Sequence, residues 1–158
     1  MKPDRHMIIK AAMVLFLAAY LGFLYFSDYA KNIPMDNIAA SMEKETAVTD
    51  LQKQSLTDLR RFYQIDGNET DGWFFYKAAS PMAVEEVFIV KGRDKKQTDA
   101  LLENAQKHLT EQKNIFEGYG TDQMALLNEA TVESRGRYVY YLCGEAAPQL
   151  RKLFLSLI

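Results

Sequence analysis

Few side chains in this chain could act as acid, base, nucleophile or metal ligand, and they are widely spaced. His108 is the one histidine beyond the amino-terminal tail. It sits mid-helix beside Leu109 with no second histidine or cysteine at ligand spacing, so no metal is expected. Glu85 and Glu86 are neighbours, but on a strand they point to opposite faces and cannot converge as an acid–base pair. Glu86 would then be an inward charge in need of a partner. The lone cysteine, Cys143, follows Tyr-Tyr-Leu. It cannot form a disulfide within the chain, and with no His or Asp beside it the residue reads as a small buried apolar group rather than a reactive thiol. Gly118-Tyr119-Gly120 lacks the Gly-Lys-Ser/Thr ending of a phosphate loop and reads as a helix terminator. No Gly-x-Ser-x-Gly nucleophile turn occurs. Asn68-Glu69-Thr70 has the form of a glycosylation sequon, relevant only on a eukaryotic secretory route. No catalytic, cofactor-binding or metal-binding residue is assigned, and no cofactor is expected.

Aromatic clustering has more functional pull. Trp73, Phe74, Phe75 and Tyr76, with Tyr138, Tyr140 and Tyr141, give two strands aromatics on both faces. An open face would make a platform for sugars or an unstructured peptide. The plainer reading is that these rings fill the core of a small domain, and it is the one adopted. The chain carries 19 basic and 21 acidic residues, for a formal net charge of −2. With no basic stripe, nucleic acid is not an expected partner.

These residues need elements to hold them. Pro34 opens a helical pattern with Met35, Ile38, Ala39 and Met42 on one face. A polar run, Glu43–Asp50, leads to a second helix, where Ser55 and Asp58 suggest a capping pair ahead of Leu56, Leu59, Phe62 and Tyr63. Asp66–Gly72 is a turn. Strands are expected at Trp73–Ala78 and Val84–Val90, joined through Ser80-Pro81. Asp94 and Gln97 would cap the longest helix, about Lys95–Phe116, with Leu101, Leu102, Ala105, Leu109 and Phe116 inward. Thr121 would cap a short helix through Glu129. A hairpin, Thr131–Ser134 and Arg137–Cys143, and a final helix bearing Leu150, Leu153, Phe154, Leu157 and Ile158 complete the order. The expected class is α+β, a two-layer domain with helices on one face of an antiparallel sheet of about four strands in two hairpins.

Ahead of this domain lies Met7–Phe26, MIIKAAMVLFLAAYLGFLYF, about 20 residues interrupted only by Lys10 and long enough to span a bilayer as a helix. The cleavage sites after it are poor: a cut after Ala30 puts Asp28 at the minus-three position, and one after Ser27 puts Tyr25 there. A buried helix in so small a domain should have a polar face, and this one has none. The segment is read as a permanent anchor. Lys2, Arg5 and Lys10 on its near side keep the amino terminus cytoplasmic. Residues 1–30 are thus a tail and transmembrane anchor, and residues 31–158 an extracytoplasmic domain.

Residues 85–143 resemble a known family. EEVFIVKGRDKKQ leads into a long helix and then IFEGYGTDQMALLNEATVESRGRYVYYLC. The aromatic-x-Gly-Tyr turn, the Leu-Leu helix and the Gly-x-Tyr-Val strand are similar to the bacterial domain-of-unknown-function family DUF4358. The resemblance implies a membrane or lipid anchor followed by one small domain at the bacterial cell surface, and it implies no activity. This chain lacks the cysteine that lipoprotein-type members carry after the apolar run.

The resulting expectation is a membrane-anchored, non-catalytic binding or assembly module of the bacterial envelope. Its partners would be the membrane, through Met7–Phe26, and an envelope protein or wall polymer. The alternative is an envelope hydrolase or transferase whose site assembles only in three dimensions.

Overall fold

The computed structural model describes residues 5–27, 29–118 and 120–158. Helix α1 (Arg5–Ser27) comes first, followed by α2 (Met35–Met42), α3 (Thr46–Thr49) and a two-residue strand β1 (Gln52–Lys53). Next come α4 (Leu56–Tyr63), a 3-10 turn at Gly67–Glu69, and strands β2 (Trp73–Lys77) and β3 (Glu86–Lys91). Helices α5 (Lys95–Phe116) and α6 (Thr121–Glu129), strands β4 (Thr131–Arg135) and β5 (Tyr138–Cys143), and α7 (Ala147–Leu157) complete the chain.

The strands form one five-stranded antiparallel sheet in the order β1-β2-β3-β5-β4. The two expected hairpins are present, β2–β3 and β4–β5, and they join through β3 and β5. The fifth strand, β1, is absent from the sequence expectation because Gln52-Lys53 is polar and too short to show alternation. It adds to the sheet edge by pairing Gln52 with Lys77 and Lys53 with Tyr76.

The two-layer expectation is corrected. Every residue of β3 and β5 is buried, so both faces of the sheet need a cover. On one face Phe74, Val87, Ile89, Tyr140 and Leu142 pack with α2, α3 and α7 through residues such as Ile38, Val48 and Phe154. On the other, Phe75, Phe88, Val90, Val139 and Tyr141 pack with α4, α5 and α6 through Leu59, Leu101, Ala105 and Leu127. The α+β domain is a sheet between two helical layers.

Local signals account for the helix starts. Ser55 and Asp58 form a reciprocal capping box at α4, and the Asp94 side chain accepts from Gln97 N–H at 2.8 Å to open α5. At α6 the N-cap is Gly120, not Thr121, and no side chain caps it. The expected membrane span is not met by the described residues: no helix among them is long and apolar enough to cross a membrane. Within α1 side chains are described for residues 7 to 23, about 25 Å of helix at 1.5 Å per residue.

Candidate binding cleft and a buried ionic cluster

Glu86 is the inward charge that the strand alternation implied. It is fully buried, and partners from three elements converge on it. The β2–β3 register sets Lys77 directly opposite, and Lys77 Nζ lies 2.9 Å from Glu86 Oε2. From α5, His108 Nε2 lies 3.2 Å from the same oxygen and donates when it carries the proton. From α4, the Tyr63 hydroxyl donates to Oε1. Burial works to raise the Glu86 pKa, but the charge and hydrogen bond of His108, followed by Lys77 and Tyr63, outweigh it and hold the carboxyl below its ordinary value. Burial and the adjacent Glu86 charge push the Tyr63 hydroxyl well above its ordinary range.

This cluster has the composition of an acid–base site without the access. His108 is 2% exposed, and its ring lies 4.4 Å from that of Tyr63, centroid to centroid, with Tyr63 stacked on Phe88 at 3.9 Å. Four polar groups satisfy one another inside aromatic walls, as a buried charge requires. Among the described residues, no group of three or more His, Cys, Asp or Glu could hold a metal ion.

Cys143 is buried, as its context suggested, and burial pushes its thiol up to about 12. Such a thiol stays protonated near neutrality and is a poor nucleophile. The aromatic residues form no open platform: Phe74, Phe75, Tyr76, Tyr138, Tyr140 and Tyr141 are all buried, and only Trp73 reaches partial exposure.

Glu85 points the other way, toward a cleft at one end of the sheet. The cleft has a volume of about 490 Å³ and lies where the β2–β3 connection, the end of β5 and the start of α7 meet the segment after α3. That is within the range of small-ligand sites. Leu51, Val87, Ala147 and Leu150 supply apolar lining, the alanines 78, 79 and 83 keep it open, and Asp50, Glu85 and Glu145 supply the charge. Among the described residues, no lysine, arginine or histidine lines it. The Glu85 carboxylate has a buried Oε2 with no hydrogen-bond partner among the described residues. Gly144 makes room for this side chain: its φ is +130°, and a Cβ there would lie 3.3 Å from Glu85 Cγ. The arrangement suits a ligand with an apolar body and a hydrogen-bond-donating or cationic group. Sequence reasoning missed this cleft, although Ala78-Ala79 and Ala146-Ala147 flank it as small residues at two chain turns.

Fold and site together define the class: an antiparallel α+β domain with helices on both faces, its titratable cluster enclosed in the core and its cleft at a sheet end. The chain belongs to the family described as Domain of unknown function (DUF4358), whose model matches residues 44–144. That stretch runs from the loop after α2 to Gly144 and so contains every strand and both carboxylates. Neither the curated proteins nor the solved structures contain a match.

Proposed function

We propose that this protein is a membrane-anchored, extracytoplasmic binding or assembly module of the bacterial envelope, and that the cleft beside Glu85 is where an envelope protein or wall polymer is held. The observation that carries the anchor is the apolar character of α1 on every face: Leu15 is 71% exposed and Phe16 75%, with Met7, Ile9, Met13, Leu21 and Phe23 also exposed. Water does not support such a surface on an isolated helix, whereas lipid does. Continued through Phe26, the apolar run reaches about 30 Å, the thickness of the hydrocarbon core. The basic residues Lys2, Arg5 and Lys10 favour a cytoplasmic amino terminus.

Binding is favoured over hydrolysis by where the titratable groups sit. The convergent groups around Glu86 are enclosed, and the cleft that could admit a substrate is lined by carboxylates with no histidine, lysine or arginine beside them among the described residues. The test is a photo-crosslinking residue placed at Ala79, on the cleft, and at Gln149, on an exposed face of α7, in the full chain expressed in its host. A discrete adduct from position 79 and none from 149 is the expected result. Equal adducts from both, or none from 79, would count against the cleft, and release of the chain from membranes by alkaline carbonate would count against the anchor.

A further inference from the structure

We infer that residues 29–33 are a folded strap rather than a flexible tether, locked onto the β4–β5 turn end of the sheet, so that this end faces the membrane and the cleft faces away from it. The orientation rests on the anchor reading above; the strap itself does not.

The strap is held by side chains from three strand ends. Arg135 Nε donates to Tyr29 O at 3.2 Å, and Arg137 Nη2 donates to Asn32 Oδ1 at 2.8 Å. Ile33 N–H donates to the Tyr138 hydroxyl at 2.8 Å and also lies 3.0 Å from Lys31 O. Ile33 O accepts from Lys91 Nζ at 2.9 Å and from the Tyr138 hydroxyl at 2.8 Å. Lys91 and Tyr138 are buried cross-strand neighbours, and such groups cannot be left unpaired cheaply. Gly136 completes the fit. Its φ of +58° suits glycine, and a Cβ there would lie 2.8 Å from Ala30 Cβ, so the turn is shaped to let the strap lie against it.

Orientation follows from reach. Three residues of extended chain span at most about 11 Å, so Phe26, at the end of the apolar run, lies close to the turn to which Tyr29 is bonded. β3 then runs away from that end, from Lys91 back to Glu86, across about 17 Å. The cleft, with Glu85, Ser80 and Glu145, is at its far end.

Two readouts on the full chain in lipid nanodiscs test this. Hydrogen exchange reads the strap. The Ile33 amide should be protected, and Tyr138→Phe, which keeps the ring and removes the hydroxyl, should speed its exchange about tenfold while leaving Ile89 unchanged. Exchange of Ile33 at the rate of an unstructured peptide overturns the strap. Spin labels at Arg93→Cys and Ser80→Cys, each with Cys143→Ala, read the orientation against a paramagnetic chelate on the lipid headgroups. Several-fold stronger relaxation at 93 than at 80 is expected; equal relaxation overturns the orientation. If the chain fails to enter nanodiscs, the anchor reading and the orientation fall together, while Ile33 protection measured on the full chain in detergent micelles still judges the strap.

Discussion

Glu85 and Glu86 are consecutive carboxylates that belong to two different regions of the molecule. Around Glu86, three elements close over the charge and supply Lys77, His108 and Tyr63 to it. Around Glu85, the chain widens into a cleft and leaves a buried oxygen without a partner among the described residues. The same residue type is a structural tie on one face and an unfilled contact on the other. Charge clustering alone therefore misdirects: the denser set of titratable groups is the closed one, and the sparser set lies where a ligand can reach. A carboxylate built for stability is surrounded by its own protein, and one built for recognition is left partly unsatisfied.

The largest effect should come from breaking the closed region. Glu86→Ala leaves the partly buried Lys77 and the buried His108 without their anion and is expected to cost about 3–5 kcal/mol in urea denaturation. A loss under about 1 kcal/mol would mean that the cluster is not a structural tie. Acid should act on the same group. Because the folded-state carboxyl is held below its ordinary value of 4.5, its stabilisation is present above that pH and is lost as pH falls through the folded value. Other carboxylates that are also lowered, such as Asp58 and Glu133, contribute in the same direction. The share belonging to Glu86 is the difference between the wild-type and Glu86→Gln curves, and it should vanish at low pH. Identical slopes for the two proteins would contradict the assignment.

Tyr63→Phe removes one donor from the cluster and keeps the ring stacked on Phe88; a cost of about 1–2 kcal/mol is expected. At the small end, Glu85→Ala should change stability by less than about 1 kcal/mol, since its buried Oε2 has no partner among the described residues to leave behind. A cost as large as that of Glu86→Ala would erase the distinction between the two regions.

The sequence was most readable where the physics is local. Helix α5 has the bounds its capping residue and apolar spacing suggested, and the Ser55–Asp58 box is present as written in the chain. Strand alternation separated Glu85 from Glu86 and marked the latter as needing a partner. It did not name Lys77, His108 or Tyr63, because those contacts depend on the β2–β3 register across the 78–85 connection and on how α4 and α5 dock. The second helical layer was missed although Tyr138–Cys143 is apolar on both faces, a pattern that calls for two covers. The cleft was out of reach because its walls come from segments distant in the chain, joined only by tertiary packing. The strap was invisible for the same reason: Asn32 and Arg137 are 105 positions apart.

The contrast between a closed interior and an outward cleft can be read with thiols two residues apart. Cys143 is buried at the end of β5, while Glu145 is exposed at the cleft. In intact cells, a membrane-impermeant maleimide should label Glu145→Cys in a Cys143→Ala background and leave the native Cys143 unlabelled until the protein is unfolded. Labelling at position 145 only after lysis, or labelling of native Cys143 in intact cells, would contradict the account.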